Sequence, residues 1–174
     1  AYEPSAEAIL GYKPDVVLIS NDINKITEQL QSVSSQKITV WTGAAATTLD
    51  DVYKQITELG ALTGREDAAD TLIESMKTRI AKATKNISAP MVPKSYFYEL
   101  DNTLYSVTSN TFVGALLKPF GFTNIADGVE AGNDYPQLNA EVIAKANPSV
   151  IFLADTKCCA TNAAEVAKLD APEW

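Results

Sequence analysis

Histidine is missing altogether from the 174 residues. With it go a Ser-His-Asp triad, a Cys-His pair and any histidine-based ligation of zinc, manganese or haem within this chain. Cysteine is nearly missing too, since the two present are neighbours, Cys158 and Cys159. Adjacent cysteines bridge each other only in a strained ring, and one pair makes no disulfide framework. No apolar run approaches the ~18 residues that a membrane-spanning helix requires. Lys and Arg number 14 against 22 Asp and Glu, for a net charge of −8. The concentration of cations that phosphate contacts need is therefore absent, which argues against a nucleic-acid partner. No Gly-x-Gly-x-x-Gly follows a strand pattern and no Gly-Lys-Ser/Thr loop occurs, so nucleotide phosphate cradles are excluded as well. What remains is ordinary globular composition, 46% hydrophobic and 21% charged, in a chain long enough for one domain or two small lobes.

The strongest internal signal is a duplication. Ser5–Ser20 reads as a short helix, a proline turn and a continuous apolar strand, and Asn139–Ala154 repeats it without a gap. Ala6/Ala140, Glu7/Glu141, Ile9/Ile143, Pro14/Pro148 and Val16/Val150 are identical at a constant offset. Both strands are apolar on successive residues, the pattern of a parallel sheet covered on both faces, which sets the class as α/β. Between the copies the pattern predicts a helix near Ile23–Val33 and a strand over Ile38–Trp41. A further helix is capped by Thr48 with Asp51 and stopped by Gly60. Thr63-Gly64-Arg65-Glu66 reads as a second capping box. It opens the longest helix, to about Asn86, with Ala69, Leu72, Ile73, Met76, Ile80 and Ala83 on one face. Pro90 and Pro93 break it, and a strand over Ser95–Leu100 begins a new section. That section continues with a polar loop 101–110, a helix Phe112–Leu117, a short segment Asn124–Ala126, a loop Asp127–Pro136, the second copy and a helix Ala163–Leu169.

The expected organisation is a partial first lobe over 1–63, a long inter-lobe helix over 64–90 and a partial second lobe over 91–174. The first residues lead directly into a patterned helix and no final strand follows the last one, so a fragment of a larger fold is expected. No secretion signal or lipid-attachment motif stands within these residues to report the compartment.

In an open parallel sheet, ligands bind beyond the carboxyl ends of the strands. That rule nominates Ser20, Asn21 and Asp22 after the first strand, Thr42 and Gly43 after the second, the loop 101–110 with Asn110, then Asp134-Tyr135, and Asp155-Thr156-Lys157. Glu7 and Glu141 stand at the starts of equivalent helices, where a carboxylate is favoured by the helix dipole.

Pro4-Ser5-Ala6-Glu7-Ala8-Ile9 with Lys13-Pro14-Asp15-Val16-Val17, Leu59-Gly60-Ala61-Leu62-Thr63-Gly64-Arg65-Glu66, and Tyr135-Pro136-Gln137-Leu138-Asn139-Ala140-Glu141 with Asn147-Pro148, in this order and spacing, resemble the class III solute-binding proteins of ABC importers. The resemblance covers nearly the whole chain. It implies two Rossmann-like lobes with parallel sheets joined by one long helix, and a ferric siderophore, cobalamin or haem held in the cleft between them. Glu7 and Glu141 would then dock, one per lobe, into arginine pockets of a permease dimer. Tyr105 and Tyr135 fall where cobalamin-binding members have ligand-facing aromatics, whereas Ser20 replaces a tryptophan. The resemblance further implies a monomer on the periplasmic or outer cell-surface side. Such a protein touches the membrane only through the permease or a lipid anchor, with no resident cofactor and no catalysis.

Two other readings are open. Cys158 or Cys159, after a strand and before a helix, is placed where a thiolate is stabilised, which would suit an α/β enzyme. No histidine is there to activate it and no Cys-x-x-Cys is present. A free-standing ligand sensor of the same fold, without an importer, is the other.

Overall fold

The computed structural model of the chain describes residues 4–34, 37–85 and 94–157. Cys158, Cys159, Pro90, Pro93 and the helix expected at Ala163–Leu169 lie outside them. The chain divides into two compact units, Ala1–Ala46 and Thr47–Trp174. The helix after Thr48, expected in the first lobe, thus groups with the long helix that follows it.

In the first unit, α1 (Ala6–Gly11) is capped by Ser5, whose Oγ accepts from the Ala8 amide at 3.3 Å. It closes through Lys13 at φ 51, and Pro14 then precludes further helix. β1 (Val16–Ile19) follows and pairs in parallel with β2 (Thr39–Thr42), Val16 beside Thr39 and Ile19 beside Thr42. Between them run a 3-10 turn, Ile23–Lys25, and α2 (Ile26–Val33). Ala6, Val17, Ile26, Leu30 and Ile38 form the core, with Ile9, Leu10, Ile19 and Val40 around it. Burial of such side chains stabilises by about 1.5–3 kcal/mol each. The expectation of two covered faces fails at Leu18, which is 58% exposed, because the helices of this unit pack on the Val17 side.

The second unit opens with a helical pair, α3 (Leu49–Thr63) and α4 (Glu66–Thr84). Thr48 and Asp51 form the predicted capping box, the Thr48 Oγ1 accepting from the Asp51 amide and the Asp51 carboxylate accepting from the Thr48 amide at 2.8 Å. Gly60 does not stop α3. It is buried, and a Cβ there would lie 2.6 Å from that of Ala69, so its missing side chain is what lets the two helices approach. The stop is Gly64, at φ 64. Nor is Thr63 a cap for α4. It ends α3 and its hydroxyl donates back to the Leu59 carbonyl at 2.7 Å, while Arg65 precedes α4 without a side-chain cap. On the face expected to be apolar and covered, Ala69 and Ile73 are buried but Leu72 is exposed.

Beyond the helices is a three-stranded parallel sheet in the order β4-β3-β5, with β3 Lys94–Glu99, β4 Phe122–Asn124 and β5 Val150–Leu153. One face, with Phe97, packs on Ala126, Leu138 and Ile143. The other is aromatic: Phe152 lies 6.0 Å from Tyr96, 6.1 Å from Tyr98 and 6.4 Å from Phe122, centroid to centroid, within the favourable range for ring pairs. α5 (Phe112–Leu117) is as predicted, and α6 (Ala140–Ala146) leads into β5. β1 and β5, the strands of the two sequence copies, thus belong to separate all-parallel sheets, and the α/β class is as expected.

Candidate functional site

Because the strands of each sheet are parallel, the loops after them gather at one end. In the first unit this brings together Ser20, Asn21 and Asp22 with Thr42 and Gly43, and the Gly43 amide extends the ladder by donating to the Ile19 carbonyl at 2.8 Å. Asp22 is engaged in structure there, its Oδ1 accepting from the Thr27 amide at 3.0 Å at the start of α2. Trp41, which the sequence did not nominate, also reaches this end. Its ring covers Gly43 so closely that a Cβ on that residue would meet it at 2.4 Å.

In the second unit the loops after β3 and β4 pair with each other. The Leu138 amide donates to the Leu104 carbonyl at 3.0 Å, Ser106 to Pro136 at 2.9 Å and Thr108 to Asp134 at 3.0 Å, and Tyr105 forms an antiparallel bridge with Gln137. Gln137 adds a side-chain bond to the Thr103 carbonyl at 2.9 Å. The ribbon brings Tyr105, Asn110 and Tyr135 into one structure. Both rings stay in solvent contact, Tyr105 at 40% and Tyr135 at 56% exposed, although apolar burial would favour covering them. Lys157 is exposed in the loop after β5.

Beside Tyr135 is a polar cavity of about 280 Å³ between the turn 108–110 and the loop 127–134. Ser109 donates to Asp127 through its amide at 2.8 Å and its hydroxyl at 2.7 Å. The Thr108 hydroxyl and Asn110 Nδ2 both donate to Asp134 Oδ1, the latter at 3.1 Å. These donors hold the Asp134 carboxyl below the usual carboxylate range, Thr108 contributing most. Asp101 is held low likewise, by the Thr103 hydroxyl and then the Thr103 amide. Glu99 goes the other way. It ends β3 with 3% exposure, and burial, then the nearby charges of Asp155 and Asp101, push its carboxyl up. Neither that burial nor the cavity was nominated from the sequence. The usable signal was a carboxylate closing the otherwise apolar and aromatic run Tyr96-Phe97-Tyr98.

Glu7 and Glu141 are exposed, each at the second position of a helix whose cap accepts from the amide three residues on, Ser5 in α1 and Asn139, at 2.8 Å, in α6. The copies agree further in closing through a non-glycine residue at positive φ directly before proline, Lys13 and Asn147. Among the described residues no group of His, Cys, Asp and Glu is arranged to hold a metal ion, and no helix is long and apolar enough to cross a membrane.

The profile of a family described as "Periplasmic binding protein" matches residues 1–171. A "Cobalamin-binding protein" of Halobacterium salinarum is 33% identical over 151 residues, which cover 86% of this chain and 40% of that protein. An "Uncharacterized ABC transporter substrate-binding lipoprotein YvrC" of Bacillus subtilis is 31% identical over 157 residues, 87% of this chain and 49% of that one. The chain thus spans less than half the length of these relatives. Among solved structures, the periplasmic heme-binding protein HutB of Vibrio cholerae matches with a TM-score of 0.77 at 19% identity, over 99% of this chain and 66% of that one, a likeness of fold.

Proposed function

The chain belongs to the periplasmic binding protein family, and from that membership we propose that it is the ligand-capturing part of an ABC importer, taking a metal chelate of the ferric siderophore, cobalamin or haem kind and delivering it to a permease dimer. Capture of this sort is non-covalent and needs no catalytic group. Exposed rings provide contact area at low entropic cost and a few polar groups orient the chelate. The observation that carries the reading is the paired ribbon after β3 and β4, which leaves Tyr105 and Tyr135 in solvent contact and has a polar cavity at its Thr108–Asp134 end. Within the first unit, the residues that end or follow the strands are Ser20, Asn21, Thr42 and Gly43. Metal arrives already wrapped in its chelator, in keeping with a chain that has no histidine.

Delivery falls to Glu7 and Glu141. The two are matched in sequence, exposure and cap, as a transporter with two equivalent subunits would require of one partner. The place of work is the extracytoplasmic side, reached through a lipid anchor or by free diffusion in the periplasm. Calorimetric titration of the full-length protein with cobalamin, a ferric hydroxamate and haem tests capture. Micromolar or tighter binding of at least one (Kd of about 10⁻⁶ M or below) that weakens about tenfold in Tyr105→Ala and Tyr135→Ala is the expected result, and no heat with any of them removes the reading.

A further inference from the structure

The loops beyond the strands carry an imbalance of charge. Asp22 follows β1, Asp101 follows β3, and Asp127, Glu130 and Asp134 follow β4, while Asp155 after β5 is fully buried and presents no charge to solvent. Against them the described loop residues offer one cation, Lys157. Lys25, a few residues past Asp22, is paired with Glu28 at 3.5 Å. Around the 280 Å³ cavity the imbalance is complete, because its lining has three carboxylates and no lysine or arginine.

The cavity's neutral polar groups do not offset this. The donors of Thr108, Ser109 and Asn110 are turned inward onto Asp127 and Asp134, and Asn133 Nδ2 is turned onto Glu130 at 2.8 Å. Side-chain donors are thereby used within the loops, and what faces an incoming molecule is acceptor oxygen and negative charge. The low carboxyl of Asp134 keeps that charge in place through mild acidification. A carboxylate or phenolate of a ligand would find repulsion and few donors here, whereas an amide N–H, a hydroxyl or an ammonium would find acceptors.

We infer that the portion of the ligand seated against the second unit presents hydrogen-bond donors and no net negative charge, so that the protein selects neutral, amide-bearing or cationic metal chelates over anionic ones. The inference rests on the capture reading and narrows its substrate class.

The test is calorimetric titration of the full-length protein at low and high salt with four probes: cyanocobalamin, which is neutral and amide-rich, cationic ferrioxamine, haemin with its two carboxylates, and a triply negative ferric tricatecholate. At least one of the first two should bind about 100-fold more tightly than either of the last two, with the gap shrinking as salt rises. Glu130→Gln and then Glu130→Lys should close the gap stepwise, by about tenfold in the lysine variant, with unchanged thermal melting. Preference for an anionic probe, or a gap indifferent to salt and to both variants, overturns the charge selection while leaving capture intact. Binding of none of the four removes capture itself and the selection with it.

Discussion

The two copies of the helix-strand unit use the same local chemistry in different surroundings. Each begins on a side-chain cap, Ser5 or Asn139, closes through a residue at positive φ and a proline, and ends in a four-residue parallel strand. Beyond that they diverge. Leu18 in β1 is open to solvent, but its counterpart Phe152 in β5 sits among Tyr96, Tyr98 and Phe122. Ile9 is half-buried where Ile143 is 1% exposed. In register, Ile19 stands beside Thr42, and Leu153 beside the buried Glu99. A unit of about fifteen residues therefore fixes its own shape through caps, turn and proline, while its share of stability is set by what is packed on it.

The greatest effect should come from striking the one exposed feature both copies keep. Changing Glu7 and Glu141 together to arginine should cut permease-dependent uptake by more than about 100-fold, each alone by less, since a desolvated charge pair becomes a repulsion. Ligand affinity should stay the same, and uptake at the original rate would end the docking role. Next in size, Ile143→Ala should cost about 3 kcal/mol in urea unfolding against about 1 for Ile9→Ala. Equal losses would mean that the copies are packed alike after all. At the outer face, Phe152→Ala should cost about 2 kcal/mol and Leu18→Ala less than about 0.5.

The caps should erase the difference. Ser5→Ala and Asn139→Ala should each cost about 1 kcal/mol, within a few tenths of one another, and a cost confined to one copy would show that the other's cap is idle. The smallest effect at neutral pH should have the opposite sign and belong to the second copy's sheet. Because the Glu99 carboxyl is raised in the folded state, its contribution is fully present below the ordinary carboxylate value and is lost as pH rises through the folded one. Glu99→Gln should therefore be at least as stable as the parent at neutral pH and should flatten that part of the stability curve. A steeper curve in the variant would contradict the assignment. The depressed Asp101 and Asp134 act in reverse, their stability lost only as pH falls through their low folded values.

How far the sequence could be read tracks the range of the interactions involved. Caps act over three residues, so Thr48 with Asp51 was readable, as was α5 at its two ends, whereas the caps Ser5 and Asn139 went unnamed although each stands directly before its helix. Gly60 misled because a stop and a close helix crossing call for the same residue, and only Ala69, nine positions on, tells them apart. Thr63 misled because its hydroxyl serves a preceding carbonyl as readily as a following amide. The loops singled out by the strand-end rule do follow parallel strands and gather at one end of each sheet. The cavity was out of reach because it is made by bonds between residues as far apart as Thr108 and Asp134, and so was the covering of Gly43 by Trp41, which depends on a rotamer.

Gly60 also accepts from the Arg65 amide, at 2.8 Å, through its carbonyl. One position thus answers for the separation of the α3 and α4 axes and for the reversal that sends the chain from one into the other. Spacing and turn in this hairpin are not independent adjustments: any side chain introduced there would pry the helices apart and, in the same stroke, displace the carbonyl that ties off the first of them.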